Sequence, residues 1–182
     1  MAENPSAPDY LARLYALHRE LGIPETYAAT RQLPLQGEAA NAELVDIGLN
    51  PDGRMLQLVS AAAHGWQQMQ ESAGKDGIPL VAVSGFRSVA RQTEIIQRKL
   101  SEGKAIDDIL RYVAAPGFSE HHTGRALDIG TPGFVDLEED FETTAAFAWL
   151  QVHAEKFGFT LSYPKGGTRG IGYEPWHWLW RR

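Results

Sequence analysis

Two short strings constrain the fold of this chain more than any other feature: Ser119-Glu120-His121-His122-Thr123-Gly124-Arg125-Ala126-Leu127-Asp128 and Glu174-Pro175-Trp176-His177-Trp178. Between them they hold the imidazoles and carboxylate that one metal ion needs, with a further carboxylate beside them. They can act together only if the fold carries the second string back against the first. Three ligands of the His and Asp type leave a fourth position for water, and a carboxylate that is not a ligand can take a proton from that water. That is the inventory of a hydrolytic zinc site.

The spacing inside each string is informative. Gly124 lies between His121 and Asp128, so the chain can turn there and enter a strand. Period-two alternation then puts Ala126 and Asp128 on one face, with Leu127 and Ile129 pointing into the core. His177, from the last strand, is the third ligand. His122 is as available as His121, and spacing alone does not choose between them. His18, His64 and His153 lie in helical patterns and read as surface or satisfied helix residues. On a regular strand Glu174 and His177 would face opposite ways. Pro175 disfavours a continuing strand, so Glu174 belongs to the loop and His177 to the strand proper. This places the Glu174 carboxylate near the fourth metal position without making it a ligand.

Around these strings the pattern predicts an α+β fold with a small, mainly antiparallel sheet and helices packed on it. Apolar residues at three- and four-residue intervals predict a helix over 9–21, ended at Gly22. Residues 22–50 read as a long irregular connection. A main core helix is expected over 52–72, with Met55, Leu56, Val59, Trp66 and Met69 on its buried stripe. The apolar run 78–83 predicts a buried strand leading into Arg87. Ser88 can cap a helix to residue 100, and a shorter helix follows over 105–113. Strands are expected at 126–130, 159–162 and 176–180, and a helix at 141–157. The length suits one domain, in which 1–50 contribute a helix and connection and 51–182 form the core that holds the metal site.

Composition limits the partners. A net charge of -6, with basic residues scattered rather than striped, argues against nucleic acid. No apolar run approaches a membrane span. The chain has no cysteine, so any metal must be held by His, Asp and Glu. Residues 1–9 show no basic region followed by an apolar one, so the chain reads as cytoplasmic. A signal already removed, or release by cell lysis, would leave the same sequence and allow action in the periplasm or cell wall.

Ser84-Gly85-Phe86-Arg87-Ser88 with Gln92, the run from Pro116 to Ile129, Phe157-Gly158-Phe159, Ser162-Tyr163-Pro164 and the run from Tyr173 to Trp178 together form a recognisable pattern. It resembles the VanY-type zinc D-alanyl-D-alanine carboxypeptidases, relatives of VanX dipeptidases and of peptidoglycan L,D-carboxypeptidases. The resemblance covers residues 50–180 and implies the fold shared by Hedgehog and D-Ala-D-Ala peptidases. It implies one Zn2+ held by His121, Asp128 and His177, with Glu174 as the catalytic carboxylate. It further implies that Arg87 stabilises the oxyanion, that Ser119 holds the substrate, and that Gln92 and Tyr163 lie in the peptide cleft. The implied substrates are peptidoglycan stem peptides or muropeptides, losing a C-terminal D-alanine, with D-Ala-D-Ala favoured. An L,D-carboxypeptidase and an endolysin-type endopeptidase are the neighbouring enzyme readings, and a binding module on the same zinc fold is the non-enzymatic one.

Overall fold

The alternating run after Gly124 forms the strand around which the rest is arranged. The structure is a computed structural model that describes residues 8–167 and 170–182. Residues 1–7, most of the stretch read for a signal, lie outside the described residues. In chain order the main elements are α1 (Pro8–Glu20), α2 (Tyr27–Arg31), β1 (Leu44–Leu49), β2 (Met55–Val59), α3 (Ser60–Lys75) and β3 (Val81–Ser84). They continue with α4 (Val89–Ser101), α5 (Ile106–Ile109), β4 (Ala126–Gly130), α6 (Ala145–His153), β5 (Phe159–Leu161) and β6 (His177–Trp180). A four-stranded antiparallel sheet runs β3-β4-β6-β5, and β1 with β2 forms a separate hairpin. The α+β class with a small antiparallel sheet is the one expected.

All five residues of β4 are buried, because it has a neighbour on each side and is covered on both faces. Leu127 and Ile129 point to the face where Trp66 and Met69 of α3, Phe147 and Leu150 of α6, and Trp178 of β6 form the main core. Each such fully buried aliphatic side chain contributes about 1.5–3 kcal/mol. The opposite face carries Asp128 and His177. A second apolar cluster joins Tyr10 and Leu14 of α1, Tyr27 of α2 and Ile96 of α4 to Phe118 and Tyr163. Backbone bonds from Gln36 to Gly117 and from Ala39 to His122 tie residues 8–40 to the segment that carries the first string.

Four expectations need correction. The irregular connection over 22–50 contains α2, a 3-10 turn at Asn41–Glu43, and β1. The helix expected from 52 begins at Ser60, because 55–59 is β2 paired with β1. Asn50 Oδ1 accepts from the backbone N–H of Asp52 (3.1 Å) and Arg54 (2.8 Å), which closes the turn between the two strands. Leu56 and Leu58 are buried while Met55 is exposed, the two-residue period of a strand. The helix over 141–157 is three pieces: a 3-10 turn (Glu139–Thr143), α6, and a second 3-10 turn (Ala154–Phe157). Thr144 is extended and its hydroxyl caps α6 by accepting from Phe147 N at 3.1 Å, which interrupts the helix there. The helix at 88–100 is as expected: Ser88 Oγ accepts from Arg91 N at 3.0 Å. The helix over 105–113 shortens to the single turn of α5.

Candidate metal centre

Sheet register builds the centre. Asp128 of β4 and His177 of β6 are directly paired across the antiparallel ladder, so their side chains share a face. Ser84, the last residue of β3, pairs with Asp128 on the other side, and the chain leaving β3 carries Gly85 and Arg87 past the same spot. His121 arrives on a 3-10 turn, Glu120–Thr123, that ends at Gly124 with φ 64°. A side chain there would be strained, and its Cβ would fall 2.9 Å from Leu44 Cδ2, so the reversal that aims His121 at Asp128 depends on glycine. Glu174 sits in the loop before β6, and His177 N bonds back to Glu174 O (3.2 Å). This is the bend that Pro175 leads one to expect.

One atom from each of His121, Asp128 and His177 lies within 4.8 Å of the others, and all three residues are buried. His121 Nδ1 donates to Gly85 O at 2.6 Å, so its Nε2 lone pair faces the Asp128 carboxylate at 3.2 Å. Burial and the charge of Arg87 lower the His121 imidazole to about 4, leaving it neutral. Against the cost of burial, the hydrogen bond and charge of the protonated His177 hold the Asp128 carboxyl well below the usual carboxylate range. A neutral nitrogen lone pair aimed at an ionised carboxylate is repulsive unless a cation stands between them. The donor set therefore fits a divalent metal of the kind held by nitrogen and oxygen ligands.

His177 Nδ1 lies 3.0 Å from Asp128 Oδ1, and its Nε2 lies 3.0 Å from Glu120 Oε2. Against burial, these two hydrogen bonds push the metal-free imidazole up to about 10. Glu120, itself buried, is held down to about 2 by the bond and charge of His177, against burial that would raise it. Burial pushes Glu174 up to about 8; the charges of His177 and Arg87 oppose the rise and that of Asp128 adds to it. Glu174 Oε2 stands 3.7 Å from His177 Nδ1, and Arg87 Nη2 stands 3.8 Å from Asp128 Oδ2.

Of His121 and His122, only His121 has a ring nitrogen directed at the candidate centre. Both ring nitrogens of His122 are committed to backbone: Nδ1 donates to Arg87 O at 2.6 Å, and Nε2 accepts from Gly117 N at 3.0 Å. His18 bonds Pro116 O at 2.8 Å, a satisfied helix residue as expected. Ser119, Gln92 and Tyr163 are buried and line the same cleft of about 610 Å³ as Arg87, Glu174 and the three candidate ligands. Gln92 Nε2 donates to Ala114 O at 2.7 Å, while its Oε1 has no hydrogen-bond partner among the described residues. The Tyr163 ring lies 4.9 Å from that of His177.

The pattern of the VanY family, described as D-alanyl-D-alanine carboxypeptidase, matches residues 55–182, which include every residue of this centre. The chain belongs to the VanY family. Within and around that family it is 43% identical over 123 residues to a putative carboxypeptidase, YodJ, of Bacillus subtilis (strain 168), covering 64% of this chain and 43% of that one. Among solved structures it is similar to the LdcB LD-carboxypeptidase, with 36% identity and TM-score 0.69, over 78% of this chain and 69% of the other. It is also similar to a VanY D,D-pentapeptidase in complex with Zn(II), with 27% identity and TM-score 0.62, over 83% and 84%. The chain spans about half the length of the curated relatives it matches. No helix among the described residues is long and apolar enough to cross a membrane.

Within this VanY-family site, sequence reasoning passed over Glu120. It lies inside the first string, but nothing local shows that it closes on His177. It also passed over the charged lining of the cleft, Arg98 and Lys99 from α4 and Asp136, Glu138 and Glu139 from the segment after β4. The chain distance between these groups hides their convergence.

Proposed function

We propose that this chain is a zinc-dependent carboxypeptidase that removes a C-terminal D-alanine from peptidoglycan-type peptides, with D-Ala-D-Ala as the favoured end. The observation that carries this reading is the convergence of His121, Asp128 and His177 on one face of a paired β4 and β6, with a buried carboxylate and a guanidinium beside them. His121 through Nε2, His177 through Nδ1 and the Asp128 carboxylate would hold the ion. When bound, zinc supplies Lewis acidity, which lowers the pKa of water to about 7 and polarises a carbonyl.

The chain's own residues supply the rest. Glu174 accepts the proton of the attacking water as its oxygen bonds to the scissile carbonyl carbon, then passes that proton to the leaving amine as the C–N bond breaks. Its place suits it to both tasks, because its Oε2 stands 3.7 Å from His177 Nδ1, beside the three candidate ligands and outside their set. Arg87 offers a permanent positive charge to the oxyanion, and one-fifth of its side chain is exposed toward the cleft. Ser119, Gln92 and Tyr163 are assigned to peptide binding, and the unpaired Gln92 Oε1 suits an acceptor for a substrate N–H.

The L,D reading keeps specific support in the likeness to the LdcB LD-carboxypeptidase. Residues 1–50 are assigned to the same domain as the core, supported by the cluster that α1 and α2 share with α4 and Phe118. Cytoplasmic action belongs to the same proposal and is tested by cell fractionation. The activity test mixes the protein with peptides ending in D-Ala-D-Ala or in L-Lys-D-Ala, with and without a chelator. Zinc-dependent release of D-alanine from the first supports the favoured reading, and release only from the second supports L,D cleavage. A protein at full zinc occupancy that cleaves no stem peptide is a binding module instead.

A further inference from the structure

His177 presents Nδ1 to Asp128 and Glu174, so its Nε2 points away from the reacting groups and into the protein. A buried N–H must find an acceptor, and here it finds Glu120 Oε2 at 3.0 Å, on a residue only 5% exposed. Glu120 is in turn held on both sides. Its backbone opens the 3-10 turn, where Thr123 Oγ1 donates to Glu120 O at 2.7 Å, and Arg181 Nη2 lies 3.9 Å from its Oε1. Glu120 also immediately precedes His121. One short turn therefore carries one candidate ligand and the carboxylate that faces the back of the other.

We propose that Glu120 is a positioning residue of the metal centre: by accepting the Nε2 proton of His177 it fixes the tautomer and ring angle that present Nδ1 to the ion. This rests on the metal reading above and deepens it. A carboxylate behind a ligating imidazole raises the basicity of the ring and adds negative charge near a dication. It also couples the two histidines, because a shift of the Glu120–Thr123 turn moves His121 directly and His177 through Glu120. Glu120 takes no part in proton transfer with substrate; that work belongs to Glu174.

The test uses the full chain and zinc alone. Zinc affinity is measured by competition with a chromophoric chelator for wild type, Glu120→Ala and Glu120→Gln, and the ring nitrogens of His177 are observed by NMR in the zinc-loaded proteins. Wild type should show a protonated, slowly exchanging Nε2. Glu120→Ala should bind zinc about 10–100-fold more weakly and lose the slow exchange. Glu120→Gln, whose amide oxygen can still accept from Nε2, should recover the slow exchange and part of the affinity while staying several-fold weaker than wild type. Glu120→Ala at wild-type affinity, or zinc on Nε2 of His177 in wild type, overturns the assignment. If Glu120→Ala fails to fold, Glu120→Gln decides alone: unchanged affinity overturns the proposal. Wild type that takes up no zinc overturns the metal reading itself, a different result from a variant that matches a zinc-binding wild type.

Discussion

Replacing Glu174 with glutamine separates chemistry from metal binding and from folding. The residue is 5% exposed, and its Oε2 lies 3.7 Å from His177 Nδ1, beside the three candidate ligands and outside their set. Glutamine keeps the size and shape but cannot carry a proton between water and amine. Loss of general acid–base catalysis costs about 10²–10⁴-fold in rate, equivalent to ~3–5 kcal/mol on the barrier. Burial penalises the ionised carboxylate and keeps the metal-free carboxyl largely protonated near neutral pH, so the neutral isostere should leave unfolding of the metal-free variant close to that of metal-free wild type. The assay has three readouts: D-alanine release, zinc per chain by elemental analysis, and thermal unfolding. The expected outcome is turnover reduced by that factor with zinc content and melting temperature unchanged. Loss of zinc would show Glu174 to be a ligand, and turnover within tenfold of wild type would show that it does not carry the proton. Either result refutes the role argued for it.

Other substitutions test neighbouring claims. His122→Ala should leave zinc content at the wild-type level but lower stability by about 2–5 kcal/mol, read by denaturant unfolding, because it empties a fully buried site and strands two backbone groups. A zinc-free product would mean that the wrong imidazole was assigned to the ion. Arg87→Met should lower kcat about 10²–10³-fold with zinc retained, measured by steady-state kinetics on the preferred peptide; an effect confined to KM would place Arg87 in ground-state binding only. His18 supplies a pH test away from the centre. Burial lowers its pKa from 6.5 in the fold, so the unfolded chain binds more protons below that value. The stability it contributes is complete above pH 6.5 and is lost as pH falls toward the folded pKa. His18→Gln should therefore flatten the acid side of the stability profile between those values, and an unchanged slope in urea titrations would contradict this.

What the sequence made legible follows from how local each signal is. β4 was readable to the residue because Gly124 and strict alternation both act within a few positions, and α4 was readable because Ser88 caps it through a bond three residues on. The β1–β2 hairpin was misread because Met55-Leu56-Gln57-Leu58-Val59 runs without a break into the alanine-rich start of α3, so two periods overlap in one apolar stretch. The Asn50-Pro51-Asp52-Gly53 turn was the available clue. At the centre, Asp128, His177 and Glu174 were legible because their spacing encodes a strand and a bend, whereas His121 was set apart from His122 only by the family resemblance. Glu120 was not legible, since its role exists only when β6 lies against β4 and brings His177 Nε2 to within 3.0 Å. The orientation of His122 was hidden because one of its partners, Arg87 O, lies on a loop 35 positions away, although the other, Gly117 N, is only five positions off.

The central claim is that the His121, Asp128 and His177 centre hydrolyses the terminal bond of a peptidoglycan stem. Mass spectrometry of intact muropeptides before and after incubation tests it most directly, because the mass lost names the bond. With zinc present, a pentapeptide stem should lose one terminal alanine, and both a chelator and Glu174→Gln should abolish that loss. No mass change at full zinc occupancy, or a loss that survives the chelator, would contradict the account.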